Sequence, residues 1–267
     1  MYYSIFVKKG RIEMAIPIGF DKDLALFLAD CCLQAYNQFN CKGTFDMPKG
    51  YTLVDSIFAS PSRIHDLYGF IIESSDSIII SFRGSQSNPD WIADAAILQT
   101  YFPYTRINIK THSGFAAIYN TCRQQIMNAL SALSSSKQLF VTGHSLGGAL
   151  AVLCTLDAAI NTSYKDPVMY NFGSPRVGNS KFVQVYNEII ENSIRIVNTN
   201  DLVTLLPPAV VHPPLSNELL YYRHVKDLIT ITVQTGSITG NHLVENYVEG
   251  IRAMGASLLL PLSNRES

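Results

Sequence analysis

A serine between two glycines, near the middle of the chain, constrains the fold more than any other feature. The segment 143–147 reads GHSLG, follows a β-forming run at 139–142 and precedes a run of small apolar residues at 148–153. Glycines two positions before and two positions after a serine leave room for a sharp turn between a strand and a helix. The segment therefore predicts such a turn, with the hydroxyl of Ser145 projecting above a sheet.

Strand-like and helix-like patterns alternate after residue 138. Predicted strands at 138–142, 168–172 and 193–198 are separated by predicted helices at 146–160 and 180–191. This alternation is typical of a mostly parallel sheet with helices on both faces. The other predicted elements are a helix at 21–38, a hairpin at 67–72 and 77–82, a long helix at 113–133, a last strand at 221–233 and a last helix at 242–254. With no repeat or linker visible, we expect one α/β domain over residues 1–267.

Charged residues are scarce and balanced in sign, which argues against a nucleic-acid-binding protein. They make up 15% of the 267 residues, against 47% hydrophobic residues, whereas about 25% is usual for a soluble domain. Twenty Lys and Arg against 21 Asp and Glu give a net charge of -1 without a dense basic run, so we expect no nucleic-acid partner. The low charge indicates either a well-covered core or a surface that meets an apolar partner.

The apolar segments are too short for a transmembrane helix, which needs roughly 18 consecutive apolar residues. At 1–9 the apolar residues precede the basic ones, the reverse of a secretory signal. We therefore expect a cytoplasmic protein. The five cysteines form no CxxC or Cys/His pattern, so the sequence predicts no metal and no cofactor.

Three histidines follow Ser145 and are candidates for a base. A serine becomes a nucleophile when a neighbouring base takes its proton, and in folds with this turn an acid and then a histidine follow the serine. His242 follows the loop after the last predicted strand and stands at the start of the last predicted helix, where an imidazole can reach the turn. We expect His242 to be the base, His212 to be a loop residue and His224 to be structural.

The acid is expected at the carboxyl end of a strand. Asp201 directly follows a predicted strand, whereas Asp157 lies within a predicted helix, Asp166 in a turn and Asp227 in a predicted strand. Asp201 is therefore the predicted acid. Its alternative role is that of a helix cap or turn residue.

Six segments together resemble the class 3 lipase family, the fungal triacylglycerol lipase group within the α/β-hydrolases. They follow the order of the family and lie at 81–85, 90–94, 142–151, 171–179, 200–203 with 207–208, and 242–247. The resemblance implies an α/β-hydrolase fold with a mostly parallel central sheet flanked by helices and a short helical lid.

The resemblance also implies roles for particular residues. Ser145, Asp201 and His242 would form the catalytic triad, in agreement with the order argument. The backbone N–H of Leu146 and Ser85 would form an oxyanion hole.

The segment 87–98 has a helical pattern with Trp91 and Ile92 on an apolar face, and Asn88 and Pro89 suit its start. The resemblance implies that this helix is a lid over Ser145, with Trp91 and Ile92 as lid or substrate-binding residues. The alternative is a surface helix that packs its apolar side inward.

The implied function is hydrolysis of acylglycerol esters through an acyl-enzyme, with a lipid–water interface as partner. A phospholipase A1, or an esterase for small esters or feruloyl-type esters, is the alternative on the same scaffold. A remoter alternative is a non-catalytic lipid-binding protein.

Overall fold

The computed structural model describes residues 6–8, 11–13, 19–60, 65–85, 98–213 and 218–254. The described strands are β1 (Phe6–Lys8), β2 (Arg11–Glu13), β3 (Thr52–Ala59), β4 (Asp66–Glu73), β5 (Ser77–Phe82), β6 (Gln99–Tyr101), β7 (Lys110–His112), β8 (Gln138–His144), β9 (Val168–Phe172), β10 (Ser193–Asn198), β11 (Val210–Val211), β12 (Leu220–Tyr221) and β13 (Leu228–Ile231). The described helices are α1 (Lys22–Asn40), α2 (Ser113–Ala132), α3 (Leu146–Asn161), α4 (Ser180–Ile189), α5 (Ile238–His242) and α6 (Val244–Ala253).

A seven-stranded sheet, in the order β13-β10-β9-β8-β5-β4-β3, organises the described residues. Within this sheet β5, β8, β9, β10 and β13 are parallel to one another. The pairs β3–β4 and β4–β5 are antiparallel. The predicted α/β class is therefore confirmed. The predicted strands and helices between 138 and 198 are confirmed to within two residues at each end. That one domain spans residues 1–267 stays a prediction.

Consecutive isoleucines in β5 explain why helices cover both faces of this sheet. Ile78, Ile79 and Ile80 are fully buried. Because side chains alternate across a strand, Ile78 and Ile80 pack in a core with α2, α3 and α4. Ile79 packs in the opposite core with α1 and α6. A strand that is buried on both faces needs such a continuous apolar run.

Two elements near the end of the chain differ from the prediction. The predicted strand 221–233 is two strands, because β12 pairs with β11 in a separate hairpin and only β13 joins the main sheet. Asp227 between them has a φ of 59°, which interrupts an extended chain. The predicted helix 242–254 is likewise split into α5 and α6 at Leu243, whose backbone is extended.

Strand β3 was missed by sequence reasoning. It is one of the two edge strands of the sheet, and the register of its pairing with β4 shifts at two places. These shifts break the strict alternation by which a strand is recognised in a sequence. Among the helices that the structure describes, none is long and apolar enough to cross a lipid bilayer.

A buried ion pair joins α2 to α3. The Asp157 carboxylate is fully buried and accepts from Arg123 Nε at 2.6 Å and from Arg123 Nη2 at 3.0 Å. It also accepts from the Tyr119 hydroxyl at 2.8 Å and from Asn161 Nδ2 at 2.7 Å. Asp157 therefore joins two helices, and both of its carboxylate oxygens are occupied by these donors, which agrees with its exclusion as the catalytic acid.

We expect Asp157→Ala to lower the free energy of unfolding by about 3 kcal/mol, because it leaves a partly buried guanidinium and the fully buried Tyr119 hydroxyl without their acceptor. Urea unfolding followed by circular dichroism measures the change. Glu249→Ala is the control: it breaks the exposed Arg252–Glu249 pair, and a change below about 0.5 kcal/mol is expected. Equal losses in the two variants would contradict the assignment.

Candidate active site

The backbone at Ser145 is strained. Ser145 joins β8 to α3 with φ 57° and ψ −126°, a conformation that residues other than glycine rarely adopt. A Cβ on Gly143 would lie 2.1 Å from the Gly147 oxygen, and a Cβ on Gly147 would lie 2.3 Å from the Phe82 oxygen. Both glycines are therefore required by the close approach of the backbone, as the motif predicts.

Hydrogen bonds from neighbouring elements hold this turn. The Ser145 N–H donates to the Phe172 oxygen at 3.0 Å, and the Ser145 carbonyl accepts from the Gly148 N–H at 2.9 Å. The hydroxyl does not cap α3, although it sits at the positive end of that helix. The side chain is thus left available for chemistry.

Asp201 and His242 are brought together. The imidazole Nδ1 of His242 lies 2.7 Å from Asp201 Oδ2, and both residues are buried. Because an ionised carboxylate only accepts, Nδ1 carries the proton and Nε2 keeps a lone pair. Nε2 is buried and has no hydrogen-bond partner among the described residues. His242 is the last residue of α5 rather than part of a loop.

Further donors fix the carboxylate of Asp201. Oδ1 accepts from the Val203 N–H at 2.9 Å, and Oδ2 accepts from the Tyr247 hydroxyl at 2.5 Å. Burial, together with the charge of Asp201, raises the pKa of Tyr247 well above its ordinary value. Tyr247 therefore stays a proton donor. Sequence reasoning missed this role, although Tyr247 lies in the quoted segment 242–247.

Gly173 makes room for this pair of side chains. It has a φ of 59°, and a Cβ placed on it would lie 3.0 Å from Asp201 Oδ2, 3.0 Å from the Tyr247 hydroxyl and 3.2 Å from His242 Cε1. A side chain at this position would push the acid and the base apart.

Side-chain and backbone donors hold the loop after Asp201 by hydrogen bonds to its backbone carbonyl oxygens. Arg176 donates from its backbone N–H to the Leu206 oxygen at 2.7 Å and from Nη1 to the Pro207 oxygen at 2.8 Å. His224 Nε2 lies 2.8 Å from the Thr204 oxygen and donates to it. Burial, followed by the charge of Arg195, lowers the pKa of His224 to about 3. His224 is thus neutral and structural, as expected, and His212 is exposed.

Ser85 follows a segment that packs against Ser145. A Cβ on Gly84 would lie 2.7 Å from Ser145 Cβ. The buried Arg83 fixes this segment by donating to the Gly84 oxygen at 2.7 Å and to the Leu67 oxygen at 2.6 Å. Its guanidinium lies 4.1 Å from the Phe39 ring centroid, as expected of a cation–π contact. Because β5 is parallel to β8, this segment and Ser145 leave the sheet at the same edge.

The other predicted site residues fall into two groups. Leu146 is the first residue of α3, so its N–H belongs to the turn at Ser145. Trp91 and Ile92 lie outside the described residues. No cluster of His, Cys, Asp or Glu suited to a metal ion occurs in the described part of the chain.

The comparisons with known proteins agree with this geometry. The family model described as lipase (class 3) matches residues 79–211, which contain the turn at Ser145 and Asp201. The chain belongs to the class 3 lipase family. The solved structure of a deletion mutant of the Rhizomucor miehei lipase in its propeptide complex superposes with a TM-score of 0.65 at 25% identity, covering 79% of this chain and 66% of that one. The predicted α/β-hydrolase fold is thereby confirmed.

Two curated relatives illustrate the range of this lipase family. Secreted mono- and diacylglycerol lipase A of Penicillium cyclopium is 31% identical over 185 residues, covering 67% of this chain and 60% of that protein. Phospholipase A1-Ialpha2, chloroplastic, of Arabidopsis thaliana is 29% identical over 211 residues, covering 61% of this chain and 44% of that protein. The chain spans about half the length of the curated relatives it matches.

We expect Gly173→Ala to slow the labelling of Ser145 by a fluorophosphonate about tenfold, because its methyl group would lie 3.0 Å from Asp201 Oδ2 and 3.2 Å from His242 Cε1 and shift both side chains from their present positions. The rate of labelling measures this. Gly236→Ala is the matched control: Gly236 has a φ of 80° with nothing within 4 Å of an added Cβ, so it shares the backbone strain without the clash. If both variants lost reactivity alike, the steric role of Gly173 would be refuted.

Proposed function

We propose that this member of the class 3 lipase family hydrolyses carboxylic esters of acylglycerols, with Ser145 as nucleophile, His242 as base and Asp201 as the orienting acid. The hydrogen bond between Asp201 and His242 carries the proposal, because it leaves the buried Nε2 of His242 as a lone-pair acceptor. The strained turn that presents the Ser145 hydroxyl at the same edge of the sheet supports it.

The reaction follows from these positions. Ser145 Oγ attacks the ester carbonyl carbon while His242 Nε2 takes its proton, and Asp201 stabilises the imidazolium that forms. The tetrahedral intermediate then expels the alcohol, which receives the proton from His242. Water, deprotonated by the same nitrogen, attacks the acyl carbon of the acyl-enzyme. The bond from that carbon to Ser145 Oγ then breaks, His242 returns the proton to Oγ, and the fatty acid is released.

The negative charge of the tetrahedral intermediate needs donors. We assign this role to the N–H of Leu146 and to Ser85, since both lie on segments that flank Ser145. Donors fixed in advance toward a developing oxyanion typically contribute a factor of about 10²–10³ each in rate. The hydrogen bond of Arg83 to the Gly84 carbonyl and its cation–π contact with Phe39 keep the Ser85 segment in place and support the assignment.

An apolar rim supports a water-insoluble substrate. The segments near Asp201 and His242, and the hairpin β11–β12, carry exposed apolar side chains. This rim consists of Leu202, Leu205, Val210, Tyr221, Ile238 and Leu243. Exposed apolar side chains directly beside the acid and the base in the chain, Leu202 and Leu243, support a site that meets an apolar partner, which we propose is a lipid–water interface. A lid formed by the segment with Trp91 and Ile92, and a cytoplasmic location, are further parts of the proposal.

We expect His242→Ala, like Ser145→Ala, to lower kcat/KM for p-nitrophenyl esters at least about 10³-fold, because each removes a group that transfers or accepts the proton. Steady-state hydrolysis measures the loss, and thermal unfolding checks the fold. His212→Ala is the matched control, since this exposed histidine also follows Ser145; its rate should stay within about twofold. Retained activity in Ser145→Ala would overturn the proposal.

We expect acylglycerols to be cleaved at least about tenfold faster than phosphatidylcholine of the same acyl chains, because the apolar rim offers a charged headgroup no ion pair. Titration of released fatty acid from matched emulsions compares the two. Phospholipase A1 is the second candidate, favoured by the relative from Arabidopsis thaliana. Faster cleavage of the phospholipid would establish it instead.

A further inference from the structure

Tyr36 on α1 contacts the active site from the face of the sheet that α1 and α6 cover. The Tyr36 hydroxyl lies 2.8 Å from His144 Nδ1, and His144 is the residue before the nucleophile. The other nitrogen of that ring, Nε2, lies 2.7 Å from the backbone oxygen of His242. One side chain thus connects a distant helix, the strained turn and the segment that carries the base.

The direction of these hydrogen bonds is fixed by chemistry. A carbonyl oxygen only accepts, so His144 Nε2 carries a proton and donates to His242. Burial, followed by the proximity of His242, lowers the pKa of His144 well below its ordinary value, so the ring is neutral. Nδ1 therefore holds a lone pair and accepts from the Tyr36 hydroxyl.

Tyr36 also contacts the segment that leads to Ser85. A Cβ on Gly84 would lie 2.3 Å from the Tyr36 hydroxyl oxygen. Burial raises the pKa of Tyr36, and hydrogen bonding by the Gly84 backbone opposes that rise. The hydroxyl therefore stays protonated and bridges the Gly84 backbone and the His144 ring.

We infer that Tyr36 and His144 are positioning residues that set the base and the oxyanion segment against Ser145. The inference rests on the proposed function. Asp201 fixes the His242 imidazole through Nδ1, and His144 fixes the backbone of the same residue, so the two contacts together determine where Nε2 lies. The two imidazole rings have their centroids 4.6 Å apart. A neutral His144 therefore avoids repulsion of the imidazolium that forms on His242 during the reaction.

Tyr36→Phe tests the inference, because it removes the hydroxyl and keeps the ring. We expect kcat for a p-nitrophenyl ester to fall at least tenfold, with KM unchanged within twofold, since positioning of the base acts on the chemical step. Tyr186→Phe is the matched control. Its hydroxyl is also buried and lies 3.2 Å from Ser193 Oγ, away from the site, so kcat should stay within twofold.

Variants of His144 give a second test. The amide of His144→Gln offers one donor and one acceptor, and we expect it to retain at least a fifth of kcat. His144→Leu offers neither, and we expect a loss as large as that of Tyr36→Phe, with no further loss in the double variant. If His144→Leu does not fold, the contrast between Tyr36→Phe and His144→Gln still decides.

The tautomer of His144 provides a readout that does not depend on activity. Nitrogen-15 NMR of the wild-type side chain should show Nε2 protonated and Nδ1 unprotonated. A protonated Nδ1, or an unchanged kcat in Tyr36→Phe while a fluorophosphonate still labels Ser145, would overturn the positioning role. Absence of both ester hydrolysis and labelling in the wild type would instead overturn the proposed function.

Discussion

The strained backbone at Ser145 is the constraint on which the rest of the site depends. A residue held at such φ and ψ costs about 1–3 kcal/mol and persists only where its surroundings over-determine it. Here the chain is closely packed at Gly84, Gly143 and Gly147, where an added Cβ would clash with Tyr36 and Ser145 or with the neighbouring backbone. The N–H of Ser145 is tied to β9 as well. The packing of β5, β8, β9 and α3 therefore maintains the geometry of the nucleophile.

The acid and the base depend on the same sheet by a different route. Asp201 and Ser145 follow parallel strands, so both arrive at one edge, whereas His242 comes from a short helix that has no strand to place it. Hydrogen bonds of His242 to Asp201 and to His144 supply the missing restraint, and Tyr247 fixes the carboxylate of Asp201 in turn. Arg176 and His224 then hold the loop after Asp201 by its carbonyls. Parallel strands of the sheet thus position Ser145 and Asp201, and buried polar contacts position His242.

The parts of this site that could be predicted from the sequence are those marked by a short motif, by chain order or by the end of a predicted strand. The GHSLG segment marks Ser145, and chain order together with strand ends marks Asp201 and His242; their catalytic roles remain proposals. The roles of Tyr36, Tyr247 and Arg176 were missed because the residues they contact lie far away in the chain. A single tyrosine or arginine also belongs to no motif of fixed spacing that would reveal its role. The split of the last predicted strand depends on the φ of Asp227, which apolar periodicity does not reveal.

Ester hydrolysis through Ser145 requires a covalent acyl-enzyme on this residue, and direct detection of that acyl-enzyme is the sharpest test. The protein would be mixed with a p-nitrophenyl ester, quenched in acid within the first turnover, digested and examined by mass spectrometry. We expect the peptide that contains Ser145 to carry the added mass of the acyl group. The same peptide from His242→Ala, quenched at the same time, should carry no acyl group. Ester hydrolysis with no adduct, or an adduct on another residue, would contradict this role of Ser145.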